Sequence, residues 1–255
     1  RRKSGRGGAM KIKSIIFAAV LFCSVSFNMN AGAYSCEKKG YGQGTAVDSG
    51  NCPTGAVDFN NANSRYDAYA LTSEENRIIL TFDQGYENGY TAPILDTLKE
   101  KNVKAIFFLT GDYAKKEDKL VQRMIDEGHV IGNHGMTHAS IPELSDSEIK
   151  EEIMSLHNFI FDKYGYEMQY FRPPCGEYSE QSLAVTKELG YKTLFWSFAY
   201  VDWKTDAQPE PGAALERISG AGHSGGIYLL HSVSATNAQV LGDAIDSLRS
   251  KGFVL

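Results

Sequence analysis

The sequence has too few cysteines to staple a fold and too little positive charge to grip a polyanion. Four cysteines in 255 residues form no dense framework, so a buried core rather than disulfides has to hold the chain. Lys and Arg number 26 against 31 Asp and Glu, a formal net charge of -5, with no basic stripe; nucleic acid is excluded as a partner class. There is no internal repeat and no low-complexity tract. No Gly-x-Ser-x-Gly elbow is present to position a nucleophilic serine. A phosphate-binding loop and a dinucleotide fingerprint are missing as well. The apolar run at 14–27 falls short of the roughly 20 residues that cross a bilayer with certainty.

That run has a different use. Residues 1–9, RRKSGRGGA, precede Met10 and read as an added leader. Lys11 and Lys13 then supply a short positive region, 14–27 the apolar stretch, and Ala31-Gly32-Ala33 a small-residue cleavage site, which together specify a secretory signal peptide over 10–33. The alternative is an uncleaved anchor; cleavage leaves no stable membrane span. Residues 34–65 are rich in Gly, Asn, Ser and Asp and read as an extended or partly ordered lead-in. The main domain is expected over 66–255. Cleavage leaves Cys36 and Cys52, which are able to pair outside the cell, and an unmatched Cys175.

From Arg77 onward short apolar runs alternate with amphipathic segments. Strands are expected at 77–82, 104–109, 130–132, 169–171, 192–196, 226–230 and 253–255. Ser145 with Glu148 predicts a capping box, Ile149, Ile153, Leu156 and Ile160 a buried stripe, and Gly165 a stop. Gly128, Gly190 and Gly252 sit where further helices have to end. Strands alternating with helices imply a parallel sheet with right-handed crossovers, and seven of them a closed or nearly closed β/α barrel. The polar residues that stand out, Asp83, His134, Arg172, Asp202 and His231, fall at strand ends, which in such a barrel open on one rim.

Each of these has a bland reading beside a chemical one. His134 and His138 are spaced to share one side of a turn and to bind Zn, Co or Ni through imidazole nitrogen; otherwise they are polar loop residues. In Phe171-Arg172-Pro173-Pro174-Cys175-Gly176, the amide of Cys175 is the first free N–H after two prolines and suits an oxyanion. Arg172 suits bidentate support of a carboxylate such as Asp83; the alternative is a structural turn with a surface arginine. An ionised Asp202 near His231 raises the histidine's pKa and makes it a general acid. Leu229 and Trp203 either wall a small apolar pocket or simply pack. His157 falls on a helix, and His129 and His223 near loops without evident partners, so all three are read as not functional.

The ordered segments Thr81-Phe82-Asp83-Gln84-Gly85, His134-Gly135-Met136-Thr137-His138, Arg172-Pro173-Pro174-Cys175-Gly176, Asp202-Trp203 and Leu229-Leu230-His231 resemble the polysaccharide deacetylase family, the NodB homology domain of carbohydrate esterase family 4. The likeness runs from about Tyr66 to the end of the chain. Within the family, Tyr86-Glu87-Asn88-Gly89-Tyr90-Thr91, Phe195-Trp196-Ser197 and Tyr228-Leu229-Leu230-His231-Ser232-Val233-Ser234 are most similar to the muramic acid de-N-acetylases that lead to muramic δ-lactam.

The resemblance implies a distorted (β/α)7 barrel, with Asp83 as the base that activates water and Arg172 as its support. His134 and His138 would bind a divalent metal, Zn or else Co, Ni or Mn. The Cys175 amide would help bind the oxyanion, His231 oriented by Asp202 would protonate the leaving amine, and Leu229 with Trp203 would receive the acetyl methyl. Gln84 departs from the pattern: a second Asp is usual there as third metal ligand, so weak metal binding is expected. The implied reaction is de-N-acetylation of muramic acid residues in peptidoglycan glycan strands, outside the cell and in the spore cortex. N-acetylglucosamine as substrate, or a silent glycan-binding module, are the rival readings.

Overall fold

The computed structural model describes residues 34–255; the leader and signal peptide read at 1–33 lie outside them. Among the described residues no helix is long and apolar enough to cross a membrane. The segment read as a lead-in carries β1 (Lys39–Gly40) and α1 (Thr54–Asn63), and is followed by β2 (Ala68–Tyr69). The regular alternation then runs β3 (Ile78–Gln84), α2 (Thr91–Glu100), β4 (Ile106–Leu109), α3 (Gly111–Lys116), α4 (Asp118–Asp126), β5 (Val130–Asn133) and α5 (Asp146–Tyr164). It continues β6 (Tyr170–Phe171), β7 (Glu177–Tyr178), α6 (Glu180–Glu188), β8 (Lys192–Leu194), α7 (Pro211–Gly220), β9 (Gly226–His231) and α8 (Ala235–Ser250).

A seven-stranded parallel sheet, ordered β2-β8-β6-β5-β4-β3-β9, forms the barrel wall. Strand β4, Ile-Phe-Phe-Leu, is buried at every position, as a parallel strand covered on both faces has to be. The helices end where expected. Ser145 and Glu148 form the capping box of α5, and Gly165 stops it at φ 63, a left-handed position that costs glycine nothing.

Two expectations need correction. Residues 253–255 form no strand: Val254 makes a single parallel bridge to Arg77. The seventh strand is instead β2, whose two residues are too few for any periodicity to reveal. Its insertion distorts the barrel. β2 pairs with β8, while the gap to β9 is crossed only by isolated bridges, Leu71 to Gly226 and Phe198 to Tyr228. The strand ends also run further than the apolar pattern, so Asp83, Gln84 and His231 lie within β3 and β9 rather than after them.

Candidate active site

The largest fully buried side chain among the described residues is Arg172. It is 0% exposed, follows β6, and stacks its guanidinium 4.2 Å from the centre of the Phe108 ring. Every nitrogen has a partner. Nε donates to the Leu194 carbonyl at 3.0 Å and Nη2 to the Phe195 carbonyl at 3.0 Å. Nη1 donates to Thr81 Oγ1 at 2.8 Å and to Asp83 Oδ1 at 2.7 Å. The expected bidentate grip is therefore a single-nitrogen contact, because two carbonyls that continue from β8 claim the other nitrogens. Burial alone would raise the Asp83 pKa, but the charge of Arg172, with His134 and His231, outweighs it and holds the acid below the ordinary carboxylate range.

His134 follows β5 and is almost fully buried. Its Nδ1 donates to the Arg172 carbonyl at 2.7 Å, which fixes the tautomer and leaves the Nε2 lone pair 3.5 Å from Asp83 Oδ2. Burial, with His138 close by, lowers its pKa to about 4 despite Asp83, so the ring is neutral at neutral pH. His138 stands with its ring 5.0 Å from that of His134 and has φ 61. The turn between them is organised by Glu152 of α5. Its carboxylate accepts from the Thr137 amide at 2.6 Å, the Thr137 hydroxyl at 3.0 Å and the Ala139 amide at 3.4 Å. Gly135 lies beneath it, where a Cβ would come within 2.8 Å of Glu152 Oε1.

The neighbour of Asp83 points elsewhere. Gln84 is fully buried, donates to Ser232 Oγ at 2.5 Å, and leaves its Oε1 without a partner. Among the described residues no group of three or more His, Cys, Asp or Glu is arranged to hold a metal. What is present is a pair of imidazoles, one with its lone pair presented, while Gln84, with its orphaned amide oxygen, borders neither of the two cavities at this site. This donor set fits a divalent ion of the imidazole-binding class but contributes no anionic ligand to it.

Across the rim, Asp202 is 0% exposed. Its Oδ1 meets His231 Nδ1 at 2.7 Å, and Oδ2 accepts from the His231 amide at 2.9 Å and from Asn237 at 2.6 Å. Burial would lower the His231 pKa, but the Asp202 bond and charge, helped by Asp83, raise it above the ordinary histidine value. Strand register pairs Asp83 with His231 directly, so both side chains leave the sheet on the same face, on strands about 4.8 Å apart. Trp203, exposed, lies 5.5 Å from the His231 ring, and Leu229 is buried in the same wall.

Asp83, His134, His138, Cys175, Leu229 and His231 all border one cavity of about 710 Å³. A smaller one of about 260 Å³ adjoins it at Asp83, His134, His138, Trp203 and His231 and extends past Tyr86 and Val233. Gln84 borders neither. Cys175 has a left-handed backbone, φ 58, and burial pushes its thiol pKa up, so the thiol is protonated and a poor nucleophile. Cys36 and Cys52, for which a disulfide was open, are free thiols.

His129, His157 and His223 border neither of these cavities; His157 bonds Tyr191, and His223 bonds Ala221 and Ser197. Asn237, Glu152 and Gln43 were not among the residues expected at the site, and Thr81 and Trp196 stood only within quoted segments, without a role. Thr81 had a signal of its own, standing two positions before Asp83 on the same face of a strand. The others are joined to the site only by tertiary structure.

The family model for polysaccharide deacetylase matches residues 70–194. The peptidoglycan-N-acetylmuramic acid deacetylase PdaA of Bacillus subtilis is 42% identical over 203 residues, 79% of this chain and 77% of that protein. A peptidoglycan-N-acetylglucosamine deacetylase of Bacillus cereus is 35% identical over 195 residues, 72% of this chain and 68% of that one. The solved structure of Bacillus subtilis PdaA, a family 4 carbohydrate esterase, superposes with a TM-score of 0.82 at 40% identity, covering 86% of this chain and 94% of that chain.

Proposed function

The chain belongs to the polysaccharide deacetylase family, and from that premise we propose that it hydrolyses the N-acetyl group of muramic acid residues in peptidoglycan glycan strands. One observation carries the reading. Asp83 and His231 are register partners on one cavity wall, and their buried partners, Arg172 and Asp202, move their pKa values in opposite directions. The result is a carboxylate held in its ionised form, able to accept a proton, facing an imidazole whose protonated form is favoured and able to give one. A binding module has no need of both.

An amide resists hydrolysis because its carbonyl is unreactive and its amine leaves poorly. In this reading Asp83 takes a proton from water as the water oxygen bonds to the carbonyl carbon. The Cys175 amide, presented after Pro173 and Pro174, donates to the oxygen that becomes negative. His231 then delivers its proton to nitrogen as the C–N bond breaks, leaving the free amine of the sugar and acetic acid, which gives up its proton to solvent as acetate. Arg172 keeps Asp83 ionised, and Asp202 fixes the tautomer of His231. Leu229 and Trp203 take up the acetyl methyl. His134 and His138 would hold a divalent ion, Zn in first place, without Gln84, which is turned to Ser232 and borders neither cavity. Such an ion, when bound, supplies a Lewis acid that polarises the acetamide carbonyl.

The setting that follows from this reading is extracytoplasmic, the peptidoglycan of the spore cortex, reached through the signal peptide at 10–33. The amine freed by the reaction is the group a muramic δ-lactam requires. The test is to incubate the protein with glycan strands, with and without peptide stems and with added metal or chelator, and to follow acetyl loss by mass spectrometry. Acetyl loss from muramic acid supports the proposal. Loss only from glucosamine would move the chain to the activity named for the Bacillus cereus relative, and binding without loss under any metal would make it a glycan-binding module.

A further inference from the structure

The segment expected to lead into the domain reaches the active site. Lys39 and Gly40 pair with Tyr178 and Glu177 in an antiparallel ladder, and the Tyr41 amide donates to the Gly176 carbonyl at 2.9 Å. Lys38 reaches Glu177 at 2.8 Å and Glu143 at 2.9 Å. The ring of Tyr41 packs edge-on against Phe59, Phe195 and Trp196, and its hydroxyl donates to the Trp196 carbonyl at 2.6 Å. Gln43 then spends both ends of its amide on the barrel. Its Oε1 accepts from the Trp196 indole N–H at 2.9 Å, and its Nε2 donates to the Ala199 carbonyl at 3.2 Å.

Trp196 is the link to the chemistry. Its indole lies so close to Gly176 that a Cβ there would stand 2.7 Å from Trp196 Cη2. Gly176 ends the short turn of Pro174, Cys175 and Gly176, in which Cys175 and Gly176 both have left-handed backbones, φ 58 and φ 67. For a cysteine that conformation is strained and persists only if its surroundings enforce it. The indole backs that turn on one side and Tyr41 clasps its carbonyl on the other.

We propose that Gln43 is a positioning residue of the active site: by holding the Trp196 indole against Gly176, it fixes the turn that presents the Cys175 amide to the cavity. Residues 38–43 are thus part of the catalytic architecture. The inference rests on the reading of the Cys175 amide as an oxyanion donor, and the experiment separates the two.

Gln43→Met keeps the length of the side chain and removes both hydrogen bonds; Trp196→Phe removes the indole N–H, and with it the ring edge against Gly176, from the other side. The measurements are kcat and KM on glycan strands, with hydrogen exchange of the peptide spanning 173–178 and of β4 as a distant control. An oxyanion contact is made only in the transition state. Both variants are therefore expected to lower kcat about tenfold or more at nearly constant KM, with about tenfold faster exchange confined to 173–178. The double variant is expected to be little worse than Trp196→Phe alone, since Gln43 acts on the turn through the indole. Gln43→Glu, which keeps an oxygen for the indole, is expected to recover most of the loss. Faster local exchange with unchanged kcat would uphold the buttress and sink the oxyanion role of Cys175. Unchanged exchange at 173–178, or an equal rise throughout the barrel, would overturn the proposal.

Discussion

Replacing Arg172 with methionine strands Asp83. The arginine is wholly buried and meets Thr81, Asp83 and the carbonyls of Leu194 and Phe195, none of which methionine can satisfy. Breaking a buried ion pair from one side costs about 3–5 kcal/mol, and each carbonyl left dry adds on the order of 1 kcal/mol or more. Packing of the methionine against Phe108 returns part of this. A net loss of about 5 kcal/mol at pH 7 is expected, a large share of the roughly 5–15 kcal/mol that holds a domain together. The charge contribution has its own signature. In the native protein the Asp83 pKa is depressed, so the stability its ionisation confers is present above the ordinary carboxylate pKa and is lost as pH falls through the depressed value. In Arg172→Met burial is left opposed only by His134 and His231, and the sign reverses: the carboxyl takes up a proton on folding, and the variant recovers part of its loss between pH 7 and pH 5. Urea unfolding at both pH values, with Asp83→Asn as a second background, measures this. In that background the arginine substitution is expected to cost about 2–3 kcal/mol less, a coupling typical of contacting charges. A cost that is the same in both backgrounds and at both pH values would refute the electrostatic account of Arg172.

Other perturbations separate the remaining roles. Asp202→Asn removes what raises the His231 pKa and leaves burial to lower it, so the basic limb of the kcat/KM profile is expected to move to lower pH while the acidic limb, set by Asp83, stays. Gln84→Asp places a carboxylate in a fully buried position beside Ser232 and away from both cavities; metal affinity, read by calorimetry, is expected to stay within about threefold of the parent, while Tm falls at neutral pH and recovers as the pH is lowered and the buried carboxyl becomes neutral. Cys175→Ser retains the backbone amide and is expected to keep activity within about threefold of the parent, whereas Cys175→Val, β-branched at φ 58, is expected to slow kcat through strain. Metal removal from the parent enzyme is expected to lower kcat, with Zn or Co restoring it.

The fold was legible wherever a segment was long enough to show its period. α5 announced itself by Ser145, Glu148, its apolar stripe and Gly165, and the apolar runs marked β3, β4 and β9. β1 and β2 were invisible because they lie before the regular alternation that begins at Arg77, where two residues set no pattern of their own; the equally short β6 was found because it falls within that alternation. At the site, Asp83, His134, Arg172 and His231 stood out because polar residues rarely interrupt buried runs without cause. Gln43 and Glu152 did not, since a half-buried glutamine in a polar stretch and a glutamate on a helix look like solvated side chains. Their importance comes from what they touch, Trp196 in one case and the turn between His134 and His138 in the other. The single-nitrogen grip of Arg172 was beyond the sequence for the same reason: it depends on two carbonyls that only β8 brings within reach.

The seam of the barrel bears on how the chain is made. The early part of the chain is held by its late part: Tyr41 bonds Trp196, 155 positions on, β2 pairs with β8, and Leu71 bridges Gly226. A chain emerging amino end first would carry β1, α1 and β2 unpaired, with Tyr41, Phe59 and Tyr66 exposed, until its last third arrived. The central strands can assemble as they appear, but the seam has to wait. Vectorial folding of this protein would therefore finish at the segment 39–71, which would emerge before its partners and be protected after them.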